Sequence, residues 1–164
     1  MLMGELLHSR VVKIGLEAET KFEAIEELVD LLVEAHEIPL AARNHVVDVV
    51  IERERSMSTG MEYGVALPHG VSDQIDDLIG ALGIAPEGIP FESLDAQPAK
   101  LIVLLVLPKR NFQGHVRTLA GIAHLMNAPG FREKLIRAAD VQEVLDLIED
   151  EEDREELDRF RERL

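Results

Sequence analysis

Leu101-Ile-Val-Leu-Leu-Val-Leu107 sets seven apolar residues in a row with no polar side chain to face water. A strand with one wet face alternates apolar and polar residues; this run does not, so it reads as a central strand covered on both faces. Leu78-Ile-Gly-Ala-Leu-Gly-Ile84 reads as a second strand and Val11-Val-Lys-Ile14 as a short third. A fourth apolar stretch, Val65-Ala-Leu67, runs into Pro68 and His69, placing that histidine at the carboxyl end of its strand. Pro86, Gly88 and Pro90 fall between two of these runs and read as a long connection.

Helical spacing fills the gaps. Thr20-Lys-Phe-Glu23 is a capping box, and Phe22, Ile25, Leu28, Val29 and Leu32 follow at helical intervals. Beyond Pro39 a second helix carries Val46, Val49, Val50 and Arg53 along one stripe, with Arg55 rotated away by about 200°. A helix starting near Gly114 aligns His115, Leu119, Ile122 and Met126, and a further segment spans 131–138. Asp140-Val-Gln-Glu143 is another capping box, opening a last core helix to about Ile148. These elements make one α/β domain, residues 1–148, with helices on both faces of a sheet. Residues 149–164 form an acidic, helical tail whose thin stripe of Leu157, Phe160 and Leu164 would dock on its own domain or on a second copy as a homodimer.

Composition narrows the function. With 164 residues, of which 46% are apolar, the chain can bury a real core. No stretch approaches the roughly 20 apolar residues of a membrane span, which argues against direct membrane insertion. The start of the chain lacks the charge pattern of a signal peptide. There are no cysteines, so disulfides, thiolate metal sites and cysteine nucleophiles are absent and a cytoplasmic setting is the simplest expectation. Seventeen basic residues against 32 acidic ones give a net charge of −15, which repels nucleic acid and suits solubility or a salty cytoplasm. Phosphate-loop, dinucleotide-binding, zinc-protease and nucleophile-elbow motifs are all missing.

Three side chains stand out. His69 sits between Pro68, which restricts the backbone ahead of it, and Gly70, which allows a turn behind it. A ligand-facing imidazole and a histidine capping a nearby carbonyl both fit that pattern. His115 falls in the first turn of its helix, where free amides and the helix dipole favour an anion; by itself it also fits a polar residue opening an apolar stripe. Arg53 continues an apolar stripe at a helix end, as a phosphoryl ligand or as one half of an ion pair. His124 lies about 180° from His115 and reads as a surface residue, and His8, His36 and His45 have polar surroundings. A metal site built from His69, His115 and a carboxylate is a third reading of the pair.

Ser58-Thr-Gly-Met-Glu-Tyr-Gly-Val-Ala-Leu-Pro-His69-Gly70 resembles the phosphorylation motif of the enzyme IIA domains of the bacterial sugar phosphotransferase system, fructose/mannitol type, nitrogen-regulatory branch included. The resemblance extends over about residues 5–148. It takes in Glu52-Arg53, the segment Phe91-Glu-Ser-Leu-Asp-Ala-Gln-Pro98, the strand to Leu107, and Gly-His115 leading to Leu119-Ala-Gly-Ile-Ala123. It implies a mixed β-sheet sandwiched between helices, the mannitol-type IIA fold, and a phosphoryl relay. His69 would accept phosphate from the phosphohistidine of HPr and pass it to an enzyme IIB cysteine or use it as a regulatory signal. His115 would stabilise the phosphoryl group and Arg53 balance its charge, with no metal or organic cofactor. The chain departs from the pattern at Glu62, where the family has a small residue; that carboxylate would either face the phosphoryl group or point to solvent. Val71 stands where a basic or hydroxyl residue is common. Docking of an HPr-type partner on so acidic a chain calls for an apolar patch beside His69, for which Met57, Met61 and Leu67 are candidates. The alternative on the same fold is a regulatory binding module whose phosphoacceptor is weakened or silent.

Overall fold

The computed structural model describes residues 2–164. In chain order the elements are α1 (Met3–Leu6), β1 (Val12–Ile14), α2 (Lys21–Glu34), α3 (Arg43–Ser56), β2 (Val65–Ala66), β3 (His69–Ser72), β4 (Ile79–Ile89), β5 (Ala99–Pro108), α4 (Phe112–Leu125), α5 (Pro129–Ile136) and α6 (Val141–Glu162). The sheet is mixed: β1 lies parallel to β4, β4 antiparallel to β5, and β2 and β3 parallel to β5. Leu101 through Leu107 are all buried, as their unbroken apolar run requires.

Which helices cover which face follows from three registers. Gly70 pairs with Val106, and a Cβ at Gly70 would stand 3.1 Å from Val50 in α3, so α3 covers that face. Gly80 pairs with Leu105, the next residue on β5, and its missing Cβ would meet Leu6 of α1 on the opposite face. Helix α2 packs on α3, while α1 and α5 both pack on α6, giving two helical layers around the sheet.

Two boundaries differ from the sequence reading. Strand β4 does not stop at Ile84 but continues to Ile89, its ladder with β5 shifting register between those residues. Pro86 sits within that irregularity, where no ladder amide is required, so the proline is tolerated. His69 does not end a strand; it begins β3. The pairs Val65–Leu101, Ala66–Ile102 and His69–Leu105 share one register, so β2 and β3 are a single edge strand interrupted at Leu67-Pro68. Pro68 has no amide to donate, yet its carbonyl accepts the Leu105 N–H at 3.0 Å, so the strand resumes in step at His69.

The capping boxes form as written. Thr20 Oγ1 accepts the Glu23 N–H at 3.2 Å, and an Asp140 carboxylate oxygen accepts the Glu143 N–H at 2.8 Å. Helix α6 runs unbroken past Ile148, and Glu152 accepts the Met3 and Gly4 amides at 2.8 Å each, fastening this part of the tail to its own α1. Leu157, Phe160 and Leu164 stay exposed. Among the described residues no helix is long and apolar enough to cross a membrane.

Candidate functional site

Alternation from Gly70 points His69 away from α3, toward the face that carries α1 and α6. Its Nδ1 lies 2.9 Å from the Leu67 carbonyl oxygen. A carbonyl only accepts, so Nδ1 carries the proton of the neutral ring and Nε2 keeps its lone pair. Both readings of this histidine meet here: the ring does satisfy a carbonyl, and in doing so it fixes which nitrogen is nucleophilic.

The ring is half-buried, and burial is the main cause that holds its pKa below the ordinary histidine value. The Leu67 carbonyl opposes this, the Arg53 cation adds to it, and the Glu54 carboxylate opposes it. The His69 ring is therefore uncharged at neutral pH. A stability consequence follows. Below about pH 6.5 an unfolded chain takes up a proton that folded His69 resists. Folded stability is thus fully present above that pH and declines as pH falls through it toward the lower folded value. Urea unfolding of the wild type at pH 7.5, 6.5 and 5.5 should show the decline, and His69→Gln should flatten it.

Arg53 occupies the last turn of α3, half-buried, and donates from Nη1 to the Met57 carbonyl at 2.8 Å. The hydrogen bond closes the helix end and directs the guanidinium toward the segment leading to His69. His115 lies in the first turn of α4, half-exposed, and no side-chain hydrogen bond engages it or joins it to His69 among the described residues. The structure thus brings the Arg53 charge to bear on His69, while His115 stands as an uncommitted imidazole on a separate element. Nor do three histidine or carboxylate side chains gather as metal ligands among the described residues.

Glu54 is the site residue that sequence reasoning passed over. It is 1% exposed, and both its oxygens accept the Thr59 N–H at 3.1 Å. One of them also accepts the Thr59 hydroxyl at 2.6 Å, and Lys21 Nζ lies 3.6 Å away. The signal was available, because residue 54 stands four positions beyond Val50 on the buried stripe of α3. Glu62, by contrast, is exposed, and the carboxylate felt at His69 is Glu54.

The apolar surface also differs from expectation. Met57 is 71% exposed, but Met61 is only partly so, and Leu67 is buried because the interrupted edge strand turns it into the core. Val71 on β3 and Phe112 and Val116 around His115 are exposed.

The phosphoenolpyruvate-dependent sugar phosphotransferase system EIIA 2 family matches residues 5–151. A fructose-specific EIIA component of the phosphotransferase system from Haloferax volcanii is 33% identical over 129 residues, covering 79% of this chain and 82% of its own length. A nitrogen regulatory protein of Bradyrhizobium diazoefficiens is 29% identical over 148 residues, covering 90% and 95%. The crystal structure of the nitrogen regulatory protein IIA-Ntr from Neisseria meningitidis superposes with a TM-score of 0.81 at 27% identity, covering 89% of this chain and 98% of that one. A mixed sheet between helical layers is the fold these relatives share with this chain. The chain belongs to the EIIA type 2 family of the phosphotransferase system.

Proposed function

We propose that the protein is a phosphoryl carrier with His69 as the phosphoacceptor. The observation that carries this reading is the Nδ1–H bond to the Leu67 carbonyl, which leaves Nε2 unprotonated in a ring already held neutral. Nε2 attacks phosphorus in the phosphohistidine of an HPr-type donor. A new P–N bond forms as the donor's P–N bond breaks, and the donor imidazole leaves with the electron pair. Proton movement at His69 is unnecessary, since Nδ1–H stays on its carbonyl throughout. Arg53 balances the incoming charge, and His115 donates a hydrogen bond to a phosphoryl oxygen from the uncapped first turn of α4. The group then leaves either to an enzyme IIB thiolate, with a P–S bond replacing P–N, or stays as a signal. Positioning and charge balance supply the catalysis, and no metal or organic cofactor takes part. Residues 1–148 act as the transfer unit and 149–164 as its appended arm, in the cytoplasm where such donors work.

A regulatory module on the same fold is the second reading, and the kinship with nitrogen regulatory proteins favours it. Incubation with phosphoenolpyruvate, enzyme I and HPr separates the two. The carrier reading expects an acid-labile mass gain of about 80 Da, one phosphoryl group, on every folded molecule. With HPr shown to be phosphorylated, an unchanged mass would leave only the binding module.

A further inference from the structure

Several features of the molecule lie outside the histidine pair. A hollow of about 250 Å³ between α4 and α6 is walled by apolar side chains such as Ile122 and Leu125 and by Glu152, Glu155, Glu156 and Arg159, with nothing in the structure to say what fills it. His45 Nε2 lies 3.0 Å from the Ser72 hydroxyl, but that serine is buried and already accepts the Gln74 amide. The buried carboxylate of Glu54 goes further.

Its surroundings are unusual for the end of a surface helix. A carboxylate removed from water is costly unless charge and hydrogen bonds replace the solvent. Here Thr59 supplies its N–H and its O–H, and Lys21, itself buried, supplies the cation. Lys21 is held from its other side by the exposed Glu92, 3.0 Å away. The turn from Met57 to Gly60 is therefore clamped onto α3 through Thr59. Its outer side is clamped as well. The Ser58 hydroxyl donates to the Phe91 carbonyl, and a Cβ at Gly60 would stand 2.9 Å from that same oxygen and 2.6 Å from Ser93 Oγ. The turn continues into the edge strand through Leu67, whose N–H donates to the Thr59 carbonyl at 3.2 Å. Leu67 is also the residue whose carbonyl fixes the His69 ring, and Met57 is the one whose carbonyl holds Arg53.

We infer that Glu54 is the positioning residue of the phosphoryl site, setting through Thr59 the place of both backbone carbonyls, Met57 and Leu67, that orient Arg53 and His69. One residue of the turn thereby joins two functional groups that come from different elements. The inference rests on the carrier reading for its purpose but not for its geometry. A purely structural buried ion pair would stabilise the fold and do nothing else. A positioning residue must also change the histidine.

The test uses the full chain in three forms: wild type, Glu54→Gln and Thr59→Val. Three quantities are read: stability by urea unfolding, the His69 ring titration by NMR, and the rate of phosphoryl transfer from phospho-HPr per folded molecule. Glu54→Gln keeps the size and one acceptor but removes the charge that favours protonated His69. The expected result is a His69 midpoint moved to lower pH and transfer slowed by about tenfold or more, as loosened orientation produces. Thr59→Val keeps the charge and removes only the hydroxyl clamp, so it slows transfer with a smaller effect on the midpoint. A folded Glu54→Gln that is merely less stable, with midpoint and rate unchanged, overturns the inference. Should Glu54→Gln not fold, Thr59→Val decides by its rate alone. Should the wild type accept no phosphoryl group, the carrier reading falls, and the His69 midpoint in Thr59→Val, which keeps the Glu54 charge, still decides: a moved midpoint supports the positioning role and an unmoved one overturns it.

Discussion

His69→Ala is expected to lose the phosphoryl mass gain entirely, with its fold retained. The side chain is half-buried on an edge strand and its one hydrogen bond goes to a carbonyl that water can reach once the ring is gone, so little packing is lost. The chemistry has no substitute. With no cysteine in the chain, the remaining nucleophiles of this kind are the other histidines. His8 lies against Glu37 and His45 against Ser72; His124 is exposed beside Glu155, 3.6 Å away, and His36 is exposed just beyond the end of α2. Only His115 lacks such a contact within the neighbourhood proposed for the phosphoryl group, and no carbonyl fixes its tautomer. Intact-mass spectra of wild type, His69→Ala and His115→Ala after the phosphoenolpyruvate cascade give the answer. Wild-type gain, none in His69→Ala and a slower gain in His115→Ala is the expected set. A full gain in His69→Ala would show that another residue takes the group, and would refute the assignment of Nε2.

The architecture was legible where the sequence repeats a local rule many times over. Seven apolar residues from Leu101 admit few placements other than the centre of a covered sheet, and the two capping boxes mark helix starts by hydrogen bonds that span only three residues. Partner-dependent features were harder to see. Strand β4 passes through Pro86 because the register with β5 shifts there, and nothing within 79–89 announces the partner's register. The placement of His69 at the start of β3 depends on the match between Val65–Leu101 and His69–Leu105, two pairs that lie far apart along the chain. For the site, helical spacing drew attention to Arg53, three positions after Val50, whereas the inward position is Glu54, four after it. A helix of 3.6 residues per turn brings both near the stripe, and charge type cannot say which is buried. The donors that make a buried carboxylate tolerable, Thr59 and Lys21, lie on other elements. The resemblance carried by Ser58 through Gly70, together with the segments around Arg53 and His115, therefore identified the family, while the clamp behind it had to be read in three dimensions.

The same central strand sets the largest stability effect. Leu104 is fully buried and pairs across the sheet with Ala81, so it fills space that its neighbour leaves open. Two residues along, Val106 shares its face with Gly70, which packs on α3. Leu104 therefore belongs to the face under α3, whereas Leu105 and His69 belong to the other. Truncation to alanine would set two alanines opposite each other beneath a helix that the ladder holds at a fixed height, so the cavity can close only partly. A loss of about 2–5 kcal/mol is expected, with the upper half favoured by this rigidity. For a chain of this size that corresponds to a melting temperature lower by about 5–15 °C. Urea unfolding should show the midpoint reduced at an unchanged slope, the sign of lost packing rather than of an altered unfolded state. Transfer to His69 per folded molecule should stay within about twofold of wild type, because the edge register and the Leu67 carbonyl lie on neighbouring strands and not in the cavity. A drop in that rate parallel to the drop in stability would mean that the core face and the phosphoryl face move together, and that the sheet transmits packing defects to its edge.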